Sequence, residues 1–476
     1  MTEDMRSYLE VLKKHDKILE IKREVDPLTQ LAGIAYRAEN EQRKATLLHN
    51  LKGYPKWKAV SYLCGSHEKM ALGLKTDKSQ ALKELSDRIG KLIKPKIVDD
   101  GPVKEIVLKD EEADISKIPV HVHSSCDVGC AFIGSGMQTV KDPETGVQNI
   151  ALQRNQIKGK RKMGIAVSAG RHTDMIMRKY WKMGKAMPIA IVIGHHCAYY
   201  IGSTWTTHLD VDEIEIVGAL LQEPVELIEC ETIDVKVPSY AEIIIEGEVP
   251  ANVLEDEGPF GEHAGWSMGI TKQPIINVKA ITMRKDAIYY ALQGGRPISE
   301  SQPLDGLPME LVIYNIIKSV GGYCDIRDVA TLTFAGGAHI IVVQMVPRRE
   351  GEVRSVLMAT LASPYRHPKI AIAVSEDVDA RDAQAIWWSI STRVNPKKDV
   401  FIIPETLGHD GDSSLEVLPE YEGEGGIGYH KNIRLGSKML IDATKGPSRW
   451  PAKMRGVFAP IFPAGYHEVK LEDFIG

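Results

Sequence analysis

The hydrophobic pattern of the first hundred residues predicts a small α/β unit. Residues 5–15 repeat apolar positions at helical spacing, and ILEIKREV, KATLLHNL and KAVSYLCG are short apolar runs typical of strands. An Asp and a Pro open the helix-like segment DPLTQLAGIAYRAENEQ, and residues 79–93 predict a further helix. These elements define a predicted N-terminal unit over residues 1–110.

From about residue 112 the pattern changes to long strands joined by turns. The segment MQTVKDPETGVQNIALQRNQI predicts a hairpin around residues 142–146, and MGIAVSA predicts the strand after it. Helices are predicted over residues 172–185 and 211–222, among the strands IAIVIG, VELIECETIDVKV, AEIIIEGEV, INVKAITM and IYYALQ. Many antiparallel pairings with two inserted helices indicate a barrel-like sheet, a shape that can hold a flat cofactor.

The last part of the chain predicts a second α/β domain. Residues 303–322 indicate a connecting helix despite Pro308, and strands then alternate with helices in the region 323–476. The tail that begins GSKMLIDATKG has little periodicity, and we expect it to wrap a neighbouring subunit.

Composition and charge exclude several classes of protein. A chain of 476 residues exceeds the size of one hydrophobic core, so two or three domains are expected. The net charge of −5 argues against nucleic-acid binding, which needs a concentrated basic surface. The basic run KGKRK at residues 158–162 predicts only a solvated hairpin turn.

No membrane or secretory segment is predicted. The longest uncharged run, residues 187–208, contains Pro188 and two histidines and is a poor membrane span. The N-terminus is charged from its third residue, unlike a signal peptide. Six irregularly spaced cysteines suggest reduced thiols, so we expect a cytoplasmic protein.

One loop presents two carboxylates in a way that suits acid–base chemistry. In NVLEDEGPFGEHAGW, residues 252–266, Glu257 and Glu262 flank a Gly-Pro-Phe-Gly segment that cannot continue a helix. Two carboxylates facing one cleft would raise the pKa of at least one, as a proton donor near neutral pH requires. From these residues alone, a solvated acidic loop is an equally open interpretation.

A second cluster has ligand types that suit zinc. His121, His123, Cys126 and Cys130 lie close together in HVHSSCDVGC, but their spacing matches no common structural zinc pattern. A buried loop with hydrogen-bonded histidines is the favoured interpretation.

Nine segments together resemble the UbiD family of reversible decarboxylases, which use prenylated FMN. In chain order they are LEIKREVDP, NIALQR, AGRH, VDEIEIVGALL, VPSYAEIIIEGE, EGPFGE, SEDVDARD, STRVNP and GSKMLIDAT. The resemblance covers nearly the whole length. It implies an α/β (α+β) fold, with a split β-barrel flavin-binding domain over residues 111–302 and a helix over 303–322. A C-terminal α/β oligomerisation domain over 323–476 follows.

The resemblance assigns the catalytic trio to Arg154, Glu257 and Glu262. A planar guanidinium can hold a substrate carboxylate by two hydrogen bonds and also pair with Glu257. Loss of carbon dioxide needs an electron sink that no side chain provides, so a cofactor must supply it. In the family this proceeds through a covalent adduct of substrate and cofactor, and Glu262 is the expected proton donor to that adduct.

The family's cofactor phosphate is held through Mn²⁺ with K⁺ beside it, and the matching metal ligands are Asn149, His172 and Glu213. Hard oxygen ligands with one imidazole suit Mn²⁺. Lys369 and Arg393 are phosphate or potassium-shell candidates, with pairing to carboxylates as the alternative. The remaining expected cofactor contacts are Ala151, Leu152, Gln153, Arg154 and Arg171.

The implied function is reversible, non-oxidative decarboxylation of an aromatic or heteroaromatic carboxylic acid, with a phenolic acid slightly favoured. NIALQR departs from the aromatic NWGMYR of many members, and AGRH is closer to the branch that acts on protocatechuate-type and heteroaromatic acids. His263 can contact a ring hydroxyl or tune the donor. Residues 195–208 include His195, His196, Trp205 and His208, which are either pocket or core residues.

The family also implies partners, and two other functions stay open. Implied partners are a flavin prenyltransferase and copies of the same chain, as a homodimer or homohexamer. One alternative is a flavin-dependent oxidoreductase, although no G-x-G-x-x-G fingerprint follows a strand. The other is a non-catalytic subunit of a multicomponent carboxylase, which would have no need for the full set of site residues.

Overall fold

The computed structural model has a mixed α/β fold made from an N-terminal sheet, a large middle sheet and a C-terminal sheet. It describes residues 3–77, 80–296, 298–320, 325–409, 411–417, 434–446 and 461–474. None of the helices it describes combines the length and apolarity needed to cross a bilayer.

The N-terminal part is a four-stranded sheet with helices packed against it. Asp4 caps the first helix, because its carboxylate accepts the Ser7 N–H at 2.8 Å while the Ser7 hydroxyl accepts the Asp4 N–H at 3.0 Å. The elements are α1 (Met5–Lys14), β1 (Ile18–Ile21), α2 (Leu31–Gln42), β2 (Ala45–Leu48), β3 (Lys58–Ser61), α3 (His67–Gly73) and α4 (Ala81–Ile89).

The middle part is dominated by one ten-stranded antiparallel sheet. Its elements are β4 (Lys96–Ile97), β5 (Ile106–Lys109), β6 (Phe132–Ile133), β7 (Met137–Lys141), β8 (Gln148–Leu152), β9 (Asn155–Gly159), β10 (Lys162–Gly164), α5 (His172–Lys182), β11 (Met187–Ile193), α6 (Cys197–Ser203), α7 (Glu213–Leu221), β12 (Glu226–Glu229), β13 (Lys236–Pro238), β14 (Ile243–Val249), β15 (Leu254–Glu257), β16 (Phe260–Gly261), β17 (Ser267–Met268), β18 (Thr271–Met283) and β19 (Ile288–Tyr290).

The strand order explains how the large sheet forms an open barrel. The path runs β6-β9-β10-β18-β14-β11-β7-β8, and β5 and β15 also pair with the long strand β18. Apolar side chains of β11 and β14, which pair along their whole length, are fully buried. Because β6 and β8 end the path without pairing to each other, the sheet stays open, as the predicted split barrel requires.

The C-terminal part is a six-stranded mixed sheet with buried apolar clusters. Its strand order is β20-β21-β22-β25-β23, with β24 paired to β25. The elements are α8 (Ser301–Val320), β20 (Asp325–Thr331), β21 (Ile340–Val346), α9 (Glu352–Leu361), β22 (Ile370–Val374), α10 (Ala383–Arg393), α11 (Pro396–Asp399), β23 (Val400–Leu407), β24 (Glu416–Val417) and β25 (Arg434–Ala443). Helix α8 continues through Pro308 as predicted.

The structure corrects the expectation for the segment GSKMLIDATKG. Residues 436–443 are not a tail that wraps a neighbour, because they belong to β25, which lies between β22 and β23 inside the C-terminal sheet. The strand has no alternation to reveal it, because Leu440 and Ala443 are buried while most of its other side chains are half-buried on either face. Residues 447–460 lie outside the described residues.

Other differences concern short or displaced elements. No helix is predicted at α6, because all seven of its residues are buried and leave no amphipathic pattern. Strand β19 was grouped with the barrel, but it pairs with β3 of the N-terminal sheet. The predicted strand MGIAVSA ends early, at Gly164.

A buried carboxylate, Glu300, joins the N-terminal sheet to the segment before α8. Its oxygens accept the backbone N–H groups of Tyr62 at 2.8 Å and Cys64 at 2.9 Å, and the Tyr290 hydroxyl at 2.5 Å. Burial raises the pKa of Glu300 to about 7. This is above its value in an unfolded chain, so the stabilisation from Glu300 is largest at low pH and is lost as the pH rises through about 7.

We expect Glu300→Gln to lower the midpoint of thermal unfolding. Glutamine keeps one acceptor oxygen and turns an NH₂ toward backbone donors, which should cost about 1–3 kcal/mol. The loss should be larger near about pH 5 than near about pH 8, because the wild-type contribution fades with rising pH. Differential scanning fluorimetry measures both, with the exposed Glu41→Gln as the control, and an equal loss at the two pH values would contradict this role of Glu300.

Candidate active site

A cavity of about 360 Å³ lies where the open side of the barrel meets the C-terminal part. Strand β8 and the residues after it form one wall, and Glu213 of α7 and the Phe260 loop contribute others. Tyr365, His367 and His409 reach the cavity from the C-terminal part. The lining is rich in polar groups, as expected for a site that binds a charged ligand.

Arg154 is fixed between Glu257 and Glu262, the two carboxylates that the family resemblance grouped with it. Its Nε and Nη2 donate to the two oxygens of Glu257, each at 2.8 Å, and its Nη1 donates to Oε1 of Glu262. Glu257 is 1% exposed, so this bidentate pair is buried on the carboxylate side. The guanidinium carbon lies 4.8 Å from the centre of the Phe260 ring.

This arrangement leaves Arg154 able to bind a further anion. A guanidinium has five N–H donors, and the bonds to Glu257 and Glu262 account for three of them. Arg154 and Glu262 both line the cavity, whereas Glu257 lies behind the guanidinium. A substrate carboxylate that enters the cavity can therefore meet Arg154 on its exposed edge and Glu262 beside it.

The loop that carries Glu262 is held in place by Asp127. The Asp127 carboxylate accepts the N–H of Gly261 at 3.0 Å and that of Ser124 at 2.9 Å, and burial raises its pKa. A Cβ on Gly261 would lie 2.9 Å from the Ser124 Cβ, so the close approach of the two loops needs glycine here. The position of Glu262 next to Arg154 thus depends on backbone packing as well as on the ion pair.

Asn149, His172 and Glu213, which the family resemblance grouped as metal ligands, lie close together. The Nδ1 of His172 lies 2.9 Å from Oδ1 of Asn149 and 3.4 Å from Oε1 of Glu213, and the other Glu213 oxygen accepts the Ile150 N–H at 3.1 Å. Burial raises the pKa of Glu213, an effect that the His172 contact opposes. His172 and Glu213 are the first residues of α5 and α7, which positions both side chains beside β8.

These three residues fit a hard divalent cation. An amide oxygen 2.9 Å and a carboxylate oxygen 3.4 Å from one imidazole nitrogen match the ligands of Mn²⁺. The Nδ2 atom of Asn149 is buried with no hydrogen-bond partner among the described residues. The site therefore contains a polar group whose hydrogen-bonding capacity is not filled by the protein.

The other predicted cofactor contacts divide into two groups. Ala151, Leu152, Gln153 and Arg171 line the cavity, and Nη1 of Arg171 lies 3.4 Å from the Thr206 hydroxyl.

Lys369 and Arg393 do not line this cavity. Each is paired with a carboxylate, which is the alternative given for them in the sequence analysis. Lys369 donates to Asp412 at 2.8 Å and to Ser414 at 2.9 Å. Arg393 pairs with Asp377 at 2.8 Å and lies over Trp388 at the end of α10.

Three histidines form a part of the cavity wall that the sequence did not predict as a group. His263 follows Glu262, and its Nδ1 lies 3.6 Å from the free-side oxygen of Glu262. His367 and His409 stack on each other with ring centres 3.8 Å apart, and the ligand atoms of all three lie within 4.8 Å of one another. They come from distant parts of the chain, so no local spacing could have revealed them.

The zinc candidate takes the structural role favoured from the sequence. His121 and His123 are buried with their ring centres 4.1 Å apart. His123 is hydrogen-bonded to the Phe132 carbonyl at 3.0 Å, and His121 to Gln293 at 3.0 Å. Among the described residues, His263, His367 and His409 have their ligand atoms close enough to hold a metal ion together. The histidines and cysteines of HVHSSCDVGC do not form such a group.

The histidines and aromatics of residues 195–208 have mixed roles. Trp205 lines the cavity. His195 and His196 are buried against Tyr199 and Tyr8, away from the cavity wall, and burial lowers the pKa of both.

Three family models match the chain in succession. They describe the N-terminal domain of 3-octaprenyl-4-hydroxybenzoate carboxy-lyase over residues 9–89, its Rift-related domain over 96–297 and its C-terminal domain over 303–443. An anhydromevalonate phosphate decarboxylase from Methanosarcina mazei is 30% identical over 442 residues, which span 92% of this chain and 96% of that protein.

Solved structures agree over the whole length. The UbiD-class enzyme HmfF from Pelotomaculum thermopropionicum, in complex with FMN, superimposes with a TM-score of 0.87 at 29% identity, covering 99% of this chain and all (100%) of that one. An evolved dimeric form with prFMN gives 0.86 at 28% identity and 100% coverage of both chains. The apo 3,4-dihydroxybenzoic acid decarboxylase AroY of Klebsiella pneumoniae gives 0.85 at 28%, covering 99% of each chain.

We expect the purified chain to bind Mn²⁺ through Asn149, His172 and Glu213. Losing an outer partner of a metal site weakens binding roughly 10- to 100-fold, so losing the ligand itself in Glu213→Gln or Asn149→Ala should cost at least that much. Titration followed by electron paramagnetic resonance gives the affinity, with His49→Gln on the N-terminal sheet as the control. Unchanged affinity in both ligand variants would place the metal elsewhere.

Proposed function

Because this chain belongs to the UbiD family of decarboxylases, we propose that it catalyses the reversible, non-oxidative decarboxylation of an aromatic or heteroaromatic carboxylic acid with prenylated FMN. The observation that carries the proposal is the guanidinium of Arg154, held between Glu257 and Glu262 at the wall of one cavity. Arg154, which can bind a substrate carboxylate, lies next to Glu262, which can donate a proton.

The cavity can receive the cofactor through groups already described. When bound, prenylated FMN supplies the electron sink that decarboxylation needs. Asn149, His172 and Glu213 would hold Mn²⁺, with K⁺ beside it, so that the cofactor phosphate is bound through the ions. Ala151, Leu152, Gln153 and Arg171 line the adjacent wall and would contact the cofactor itself. The HmfF structures, which contain FMN and prFMN, support this choice.

Arg154 orients the substrate in this proposal. Its two remaining N–H donors would bind the carboxylate, and the two hydrogen bonds that it donates to Glu257 would keep the guanidinium from rotating. A substrate held this way presents its carboxyl group in a fixed direction, which lowers the entropic part of the barrier.

Glu262 moves the proton. One of its oxygens accepts from Arg154, and the other faces Nδ1 of His263 at 3.6 Å. After carbon dioxide departs, Glu262 would protonate the carbon that it leaves, and in the carboxylation direction it would remove that proton. Burial lowers the pKa of His263, which favours the neutral imidazole beside Glu262.

Two observations bear on the substrate. Relatives include a 3,4-dihydroxybenzoic acid decarboxylase, and the polar cavity wall favours a substituted ring, a phenolic acid among them, over a bare hydrocarbon. A second candidate is a phosphorylated acid, because the relative at 30% identity is an anhydromevalonate phosphate decarboxylase. The phenolic acid and the phosphorylated acid would share one reacting group, the carboxyl group that is lost.

Partners follow from the same proposal. A flavin prenyltransferase would supply the cofactor, and the chain would assemble as a homodimer or homohexamer, in line with the dimeric form of HmfF. A role as a non-catalytic subunit is disfavoured, because such a subunit has no need for the Arg154 pairs and the convergent Asn149, His172 and Glu213.

We expect decarboxylation only with the prenylated cofactor. The chain produced together with a flavin prenyltransferase should release carbon dioxide from members of an aromatic acid panel and place solvent deuterium at the vacated carbon. The same chain loaded with unmodified FMN should do neither, because FMN lacks the required electron sink. If the FMN form instead oxidised a reduced nicotinamide in the presence of an acceptor, the oxidoreductase alternative would stand.

We expect Glu262→Gln to keep the cofactor and lose turnover. A positioned general acid contributes roughly 10²- to 10⁴-fold, so kcat should fall within that range while flavin absorbance per chain is unchanged. The matched control is Glu255→Gln, which alters a carboxylate on the outer strand β15 that pairs with Lys162. Carbon dioxide release near the wild-type rate from Glu262→Gln would remove Glu262 from this role.

A further inference from the structure

The histidine group of His263, His367 and His409 is not used by the reaction as derived above, apart from the contact of His263 with Glu262. All three line the active-site cavity. Nε2 of His263 and Nδ1 of His367 are buried without hydrogen-bond partners among the described residues. Buried imidazole nitrogens normally find partners, so two unpartnered nitrogens on side chains that line a cavity leave hydrogen-bonding capacity for a ligand.

The tautomer of His409 is fixed by the backbone. The Gly411 N–H donates to Nδ1 of His409 at 3.0 Å, so this nitrogen carries no proton and Nε2 must carry one. His409 therefore offers an N–H donor. A metal ion would need a lone pair instead, and it could take one here only if the Gly411 bond were broken or Nε2 lost its proton.

The surrounding charge also favours an anion over a cation. Burial holds the pKa of His409 well below the usual range, and the neighbouring imidazoles of His263 and His339 and the guanidinium groups of Arg171 and Arg366 lower it further. Arg171 has the same effect on His367. A cation would add to this positive field, whereas an anion would be attracted by it.

Carboxylates near the group do not reverse this balance. Glu262 is engaged by Arg154, and Asp412 by Lys369. Asp305, which also lines the cavity, has its pKa raised to about 6 by burial, so it is mostly ionised at about pH 7 and sets one negative charge against the positive charges of Arg171 and Arg366.

We propose that His263, His367 and His409 form an anion-binding subsite for a second anionic group of the substrate, a carboxylate or a phosphate, distinct from the carboxyl group that leaves. The proposal deepens the proposed function and rests on it. Because His263 directly follows the proton donor Glu262, a substrate gripped by Arg154 at one end would place its other polar end against the histidines. Acids with two anionic groups are the implied substrate class.

The first test compares substrates on the cofactor-loaded enzyme. Terephthalate and 4-(phosphonooxy)benzoate carry a second anionic group, and 4-hydroxybenzoate is the matched acid without one. Hydrogen bonds to a charged group are worth roughly 10- to 100-fold in binding, so His367→Gln and His409→Gln should raise KM by about that factor for the doubly anionic acids and by less for 4-hydroxybenzoate. The acid with the lower KM, terephthalate or 4-(phosphonooxy)benzoate, shows whether the subsite prefers a carboxylate or a phosphate.

The second test measures binding without turnover. Inorganic phosphate titrated calorimetrically into the cofactor-loaded enzyme should bind to the wild type and to the His49→Gln control, and more weakly to His367→Gln and His409→Gln. Zinc is titrated in parallel. Stoichiometric zinc that disappears in the two variants would overturn the proposal and make the group a metal site, and equal phosphate binding in all four proteins would overturn it as well.

The two tests separate failure of the subsite from failure of the proposed function. If no acid of any class is turned over by the prenylated-FMN form, the decarboxylase proposal fails, and the phosphate titration alone still decides the subsite. If acids are turned over but the histidine variants affect all of them equally, the function stands and the subsite is overturned.

Discussion

The bidentate pair between Arg154 and the buried carboxylate of Glu257 is the interaction on which the site depends. A buried ion pair is costly to form, and removing either partner leaves an unpaired charge at a cost of about 3–5 kcal/mol. The pair is retained at the wall of a cavity, where it fixes the plane of a guanidinium that still has donors to offer. Orientation of a ligand, more than stability, is what this arrangement provides.

Arg154 and Glu257 come from parts of the barrel that are far apart in sequence. Arg154 lies directly after β8 at one end of the strand path, while Glu257 ends β15, which pairs with β18. Because the sheet curves and stays open, its edge strand approaches the loop after β15, and the cavity forms between them. Asn149 lies on β8 itself, so one strand carries both a metal-ligand candidate and the approach to the guanidinium.

Local sequence signals predicted the parts of this fold that local chemistry decides. Capped helices, the hairpin around residues 142–146 and the alternation of the C-terminal strands and helices all appear in the structure close to their predicted positions. Helix α6 was missed because full burial removes the amphipathic pattern. The partners of β19 and β25 were missed because a strand pattern predicts the strand but not which neighbour it pairs with.

The site divides in the same way. Glu257 and Glu262 stood out because Gly and Pro force a loop around them, whereas Arg154 and the Asn149, His172 and Glu213 group had no local motif and entered through the family resemblance. His367 and His409 had neither signal, since only the tertiary fold brings them to His263. Lys369 and Arg393 had a family signal, yet each is paired with a carboxylate of the C-terminal part.

The charges around Arg154 set a condition on catalysis. With both Glu257 and Glu262 ionised, two negative charges face one positive charge, and a substrate carboxylate would be repelled by the site that must bind it. Protonation of Glu262 removes that conflict and places a proton where the reaction needs it, so binding of an acid favours the form of Glu262 that can act as a donor. In the proposed subsite, neutral histidine N–H groups and the nearby Arg171 would hold the second anionic group of the substrate, so that Arg154 need not attract both of the substrate's charges. One end of the cavity would therefore bind the second anionic group through the histidines and Arg171. At the other end, Arg154 would bind the carboxyl group that leaves, and protonated Glu262 would supply the proton.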